Sequence, residues 1–183
     1  MLHNNIYNMT AKTSLKTRSV LAGIFILVAY GVLVSSFTQS KIIVMLADVI
    51  SGLAVIGIAV LMYPLLKTYK SLSLGYLYLK YVEGILMILG GVLFLFASLQ
   101  YTRDIIYTNI HVYFFILSAF IFYYLLYVTK LVPRFISVWG TIGIFALLIS
   151  TLFGLFGIKK IIIDYFLVPI ITNEIFLAVL VNG

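Results

Sequence analysis

The sequence predicts an all-α integral membrane bundle of six transmembrane helices with the N-terminus and C-terminus both cytoplasmic. Three observations lead there. Of 183 residues, 64% are hydrophobic and 9% are charged, whereas a soluble domain is about 45–50% apolar and about 25% charged. The apolar residues gather into six runs, each near the roughly 20 residues that a helix needs to cross a bilayer core. Lysine and arginine concentrate on alternate connections between those runs. A soluble fold of this size leaves much of its surface in water and has no interior able to hide so much apolar area. Composition therefore argues against a soluble enzyme, a disordered chain and a soluble nucleic-acid binder. The net charge of +7 comes from 12 Lys or Arg set against only 5 Asp or Glu, so it reflects scarce acids more than a basic patch.

The expected spans are residues 19–38, 42–66, 77–99, 109–128, 136–157 and 161–181, forming one domain over 19–183 behind a cytoplasmic segment 1–18. The first run follows Lys12, Lys16 and Arg18 but exceeds the roughly 7–15 apolar residues of a signal-peptide core, so it reads as a retained helix. The second contains Asp48, with Ser51 and Gly52 one turn away, where small residues permit close helix approach; Pro64 lies near its end. The third carries Lys80 and Glu83. The fourth begins beside His111, after Arg103 and Asp104, which read as a solvated pair in an outer loop. Pro133, Arg134 and Trp139 mark entry to the fifth. The sixth holds Asp164, Pro169, Asn173 and Glu174. Tyr63, Tyr69 and Tyr76, and on the other side Tyr101 and Tyr107, sit where amphipathic rings meet headgroups.

With the N-terminus inside, the cytoplasmic side holds Lys12, Lys16, Arg18, Lys67, Lys70, Lys80, Lys130 and Arg134. The opposite side holds Lys41, Arg103, Lys159 and Lys160. Eight against four follows the positive-inside bias.

The five acids point to function. An ionised acid at mid-bilayer costs about 2.5–3.5 kcal/mol on insertion scales, and such residues usually face the bundle interior. At 1.5 Å per residue, Glu83 lies about 9 Å and Glu174 about 10 Å from the cytoplasmic ends of their spans. Lys80, three residues before Glu83, points the same way. Lys80, Glu83, Glu174 and the amide of Asn173 thus form a candidate polar cluster, given adjacent third and sixth helices. Asp48 and Pro169 are secondary candidates: Asp48 as a buried acid in the outer half, Pro169 because it frees a backbone carbonyl between two acids. Against each stands plain packing, since polar residues also glue membrane helices together. For Asp164 an interfacial position near Lys159 and Lys160 is the stronger reading.

No catalytic residue is assigned. There is no His-Glu-x-x-His, P-loop or dinucleotide fingerprint, and no Gly-x-Ser-x-Gly with a partnered histidine. With no cysteine, no disulfide or thiolate chemistry is available. His3 and His111 lack metal-ligand spacing, and neither a cofactor nor a metal is implied. The scattered basic residues give no nucleic-acid footprint.

The segment Tyr124 to Gly140, YLLYVTKLVPRFISVWG, is the most specific part of a resemblance to the bacterial membrane-protein family called domain of unknown function 4386. Tyr63-Pro64-Leu65-Leu66-Lys67, the basic-x-x-Glu at Lys80 and Glu83, and Pro169 followed by Glu174 and Leu177-Ala178-Val179 add to it, and Asp48 falls where the family often carries Asp. The chain departs by having Lys80 where Arg is usual, which loses the bidentate fork. It also ends in Leu180-Val181-Asn182-Gly183 without the family's Trp and Lys. The resemblance implies a six-helix bacterial plasma-membrane protein and no particular activity. The leading expectation is binding or movement of a small solute, ion or proton by the polar cluster. The alternative is a non-catalytic structural, regulatory or self-protection protein, with an intramembrane hydrolase behind both. Beyond the lipid bilayer, no partner and no oligomeric state is implied.

Overall fold

The computed structural model describes residues 2–38, 40–156 and 160–182, with side chains described from residue 15 onward except at 34–36, 108, 155, 160–166 and 181–182. Among the described residues every element is helical. Helix α1 (Leu2–Ala29) runs into a 3-10 segment, Tyr30–Ser36. Helix α2 (Lys41–Leu66) and helix α3 (Lys70–Leu93) are joined by one 3-10 turn, Lys67–Tyr69. A short helix α4 (Gln100–Ile105) passes through a π-helical stretch, Ile106–His111, into α5 (Val112–Thr129). Helices α6 (Arg134–Leu155) and α7 (Lys160–Asn182) follow.

Among the described residues four stretches are long and apolar enough to cross a membrane: Leu15–Leu33, Lys41–Leu93, Ala97–Thr129 and Arg134–Gly154; Leu167–Leu180 is a shorter apolar helix. The second of these is a hairpin. Gly52 faces Gly84, and Gly91 faces Met45 and Asp48, a pairing that runs antiparallel between α2 and α3. Counting α4 with α5 as one rod, the described residues form six rods in a closed ring in chain order. Each packs on the next, and α7 returns to α1.

The polarity of this ring is that of a protein whose surroundings are apolar. Asp48, Ser51, Lys80, Glu83, Ser118 and Asn173 are buried. Ile50 and Leu53 on α2, and Ile142, Phe145 and Ile149 on α6, point outward. In hydrocarbon, outward apolar side chains lose nothing, whereas polar groups need partners found only inside.

Two expected boundaries move. The third helix starts at Lys70 rather than at 77, because the tight 3-10 turn leaves no loop for Tyr69–Tyr76 to occupy. Ser73 supports that turn by hydrogen-bonding the Leu66 and Tyr69 carbonyls. The fourth helical rod starts at Gln100, nine residues earlier than the apolar run begins. Hydropathy halts at Arg103 and Asp104, but the backbone does not, because Arg103 finds a buried partner. At the other end of α5, Lys130 takes the left-handed conformation (φ 56°) and its N–H bonds the Leu126 carbonyl. That closes α5 before Pro133. Pro64 and Pro169 lie within continuous helices.

Close approach is built on glycine. A Cβ added at Gly52 would lie 2.6 Å from the Gly84 carbonyl oxygen and 2.9 Å from Ile88. A Cβ added at Gly143 would lie 2.9 Å from the Ile170 backbone, which brings α6 against α7 beside Pro169. Gly75, by contrast, has only Ile121 at 3.8 Å. Gly52→Ala should lower thermal stability in detergent by roughly 1–3 kcal/mol through overpacking. Gly75→Ala should be neutral or stabilising, because alanine favours a helix more than glycine does. Equal effects of the two, followed by thermal unfolding, would contradict the close α2–α3 contact.

Candidate functional site

Helix α3 supplies the centre. Lys80 and Glu83 are one turn apart and both point inward. The Lys80 ammonium lies 3.0 Å from Glu83 Oε1 and 2.9 Å from Oε2, with side chains 9% and 2% exposed. Ser118 of α5 places its hydroxyl 3.0 Å from Glu83 Oε2. The Phe115 ring faces Lys80 Nζ at 4.9 Å, a cation–π contact that helps replace lost hydration. Since α3 begins at Lys70, Glu83 lies 13 residues along it and 10 before Leu93. That puts the pair near mid-helix, roughly 20 Å from the helix start, rather than about 9 Å from it.

Glu174 approaches from the opposite wall. Helices α3 and α7 are not side-by-side neighbours in the ring, so the condition of adjacent helices is not met. Its oxygen Oε2 accepts a 2.8 Å hydrogen bond from the Tyr30 hydroxyl, at the junction of α1 and the 3-10 segment. What unites Glu83 and Glu174 is shared space: both line the same two chambers. Asn173 belongs elsewhere. It donates to the Ile136 carbonyl at 2.9 Å and is fully buried against α6, because consecutive helix positions differ by about 100°.

The larger chamber has a volume of about 220 Å³ and draws lining residues from all six rods, among them Val55, Glu83, His111, Leu147, Ile170 and Glu174. A second, of about 50 Å³, shares Ala29, Val55, Glu83, Phe115 and Glu174 with the first and adds Lys80 and Tyr76. A third, of about 40 Å³, shares Ile26, Phe122 and Leu177 with the second and reaches Ser19, Met62 and Val132 at the end of the bundle where the first helix enters. The chambers thus follow one another along the length of the bundle, with the two glutamates at the first boundary and an apolar trio at the second. Pro169 is in the same helix as these groups, five residues before Glu174. The Thr172 hydroxyl bonds the Val168 and Pro169 carbonyls.

Asp48 forms a separate pair. Arg103 reaches it from α4, 3.2 Å between Nη2 and Oδ2, with side chains 14% and 0% exposed. Arg103 also lies 3.6 Å from Asp104, whose side chain is 69% exposed. The solvated pair expected at Arg103–Asp104 is therefore a correction: the stronger, buried contact goes to Asp48, and only Asp104 is open. The guanidinium packs over Phe94 and Tyr107, at 4.6 and 4.7 Å. Asp48 Oδ1 and Arg103 Nε have no hydrogen-bond partner. The Asp164 side chain lies outside the described residues.

His111, Tyr30, Ser118 and Arg103 were not singled out as site residues by composition. A signal existed. Arg103, Tyr107 and His111 recur every four residues, which aligns them on one helix face, and the Tyr107 and His111 rings lie 5.4 Å apart. His111 sits in the π-helical stretch and not at the mouth of a span; its Nε2 is buried without a partner. π-helical turns occur often at functional sites. Among the described residues, no three metal-ligating side chains come together.

Apolar helices that turn their charged groups toward a shared interior define a helical membrane protein. The family model described as Domain of unknown function (DUF4386) matches residues 32–180, and the chain belongs to that family. No curated protein and no solved structure matches the chain.

Removing one member of a buried ion pair strands the other charge and costs about 3–5 kcal/mol, whereas replacing both can be nearly neutral. Lys80→Met should therefore destabilise the protein strongly, and adding Glu83→Gln should restore most of the loss. Thermal unfolding in detergent checks this; additive losses would contradict the pair.

Proposed function

We propose that this protein is a six-span carrier of the bacterial plasma membrane, with both termini cytoplasmic, that binds and moves a small solute in exchange with protons at the Glu83–Glu174 level. The observation that supports this most is the row of chambers divided by those two carboxylates. Protonatable groups in a low-dielectric interior suit proton coupling. A site near mid-membrane between opposing halves suits alternating access. On this topology the larger chamber lies toward the outer half, and the Ile26–Phe122–Leu177 trio closes the cytoplasmic side. Six rods, short connections and the excess of basic residues on the cytoplasmic side support the orientation.

The packing reading keeps one specific observation in its favour. The Lys80–Glu83–Ser118 group is fully satisfied, as a purely structural network would be. The two readings part on activity. In sealed vesicles carrying the purified protein and a trapped pH dye, an outward gradient of the permanently charged cation phenyltrimethylammonium should drive proton entry. Glu83→Gln or Glu174→Gln should abolish it while the protein remains folded and monodisperse. Unchanged flux in both variants, or none in the wild type, would overturn the carrier reading.

A further inference from the structure

The larger chamber has a charge imbalance that indicates its ligand. Around it and the chamber beneath stand one ammonium, Lys80, and two carboxyls, Glu83 and Glu174. Lys80 is committed to Glu83 at 2.9–3.0 Å. Glu174 has the Tyr30 hydroxyl as its partner, which donates a hydrogen bond but brings no positive charge. The titratable groups facing Glu174 are Tyr30 from the 3-10 segment, Lys80, Glu83 and Tyr76 from α3, and Tyr123 from α5. His111 from the π-helical stretch lines the same chamber; α2 and α6 bring Val55 and Leu147. One carboxylate is thus in excess, and an uncompensated charge in such a setting is expensive. It must be neutralised by a proton or by a cation.

The rest of the chamber describes that cation. Met87, Val112, Phe115, Leu147 and Ile170 make the wall mostly apolar. The volume of about 220 Å³ exceeds that of an engineered cavity of roughly 150 Å³ that accepts benzene. His111 Nε2 is buried and unpartnered, a second polar atom for a ligand's N–H or hydroxyl.

Building on the carrier reading, we propose that the chamber binds a small lipophilic monocation, a protonated amine on an aromatic or branched aliphatic body, whose ammonium sits at Glu174 in place of a proton. Loading then exchanges one positive charge for another: the amine arrives as its ammonium form, and Glu174 releases one proton. The apolar body fills the space between α3, α5 and α7, and Tyr30 continues to orient the carboxylate. Neutral molecules of the same shape gain the apolar contacts but no charge pairing, since Glu174 keeps its proton, and anions bring a charge with no free cation to meet it.

Calorimetric titration of the intact protein in detergent tests this with three probes of one size: phenethylammonium, 2-phenylethanol and phenylacetate. At pH 8, where the comparison is made, phenethylammonium should bind at least about tenfold more tightly than either, a difference of about 1.4 kcal/mol. Its apparent affinity should fall with acidification, approaching about tenfold per pH unit once the carboxyl is protonated in the free protein. Glu174→Gln should lose the preference for the cation, and Leu147→Phe should weaken all binding by filling the chamber. Equal or tighter binding of the alcohol, binding of none of the probes, or an unchanged cation preference in Glu174→Gln would overturn the proposal. Should Glu174→Gln fail to fold, the wild-type pH series decides, and an affinity constant between pH 5 and pH 8 overturns it. Binding is read at equilibrium, so a failure of vesicle flux with cation binding intact counts against transport and not against the ligand class.

Discussion

The buried ion pair between Lys80 and Glu83 is the constraint around which the bundle is organised. Two charges placed near the middle of an apolar helix cannot face lipid, so the inward face of α3 is fixed by them. That orientation in turn determines its neighbours. Ser118 turns α5 toward Glu83, and Phe115 covers the ammonium. On the other side Gly84 meets Gly52, so that α2 lies against α3 with almost no side chain between the backbones. Once α2, α3 and α5 are set, short connections oblige the remaining helices to close the ring. Glu174 then arrives across an interior space and not against α3.

The Asp48–Arg103 pair plays the corresponding part nearer the other end. It lets a helix start on the charged side of an apolar boundary, because the arginine reaches past its own rod to a carboxylate on α2. The π-helical stretch that follows changes the rotation per residue between Arg103 and Val112, and the Tyr107 and His111 rings lie tilted against each other within it. Of these two pairs, Glu83 lines the larger chamber, while Asp48 and Arg103 stand outside its wall. Among the described residues the interior is charged where α2, α3, α4 and α7 bring Asp48, Lys80, Glu83, Arg103 and Glu174, and its other buried polar groups are serines and Asn173.

The helical class, the inward placement of Lys80, Glu83 and Asp48, and the family were legible in the sequence, because composition and hydropathy report directly on what lipid tolerates. Pairing was legible only within one helix. The i, i+3 relation of Lys80 and Glu83 is a property of local geometry, whereas Tyr30 with Glu174 spans 144 positions and leaves no local trace. The fourth rod began early because hydropathy scores Arg103 as a terminator, although a partnered arginine is not one. Asn173 was grouped with Glu174 by adjacency in the chain, but a helix sends consecutive residues to different sides, and Asn173 satisfies Ile136 on α6 instead.

The central claim is that one face of α7 borders a water-accessible chamber while its other face borders lipid. The chain has no cysteine, so single cysteines report cleanly. Leu167, Ile171 and Glu174 line the chamber, whereas Val168 and Ile175 are 51% and 43% exposed on the outer face. Cysteines placed singly at these five positions, in protein held in lipid nanodiscs, can be challenged with a small cationic thiol reagent that reacts only with hydrated thiolate. The account predicts modification at 167, 171 and 174 and protection at 168 and 175. Reaction at 168 and 175 with protection of the other three, or protection of all five, would contradict it.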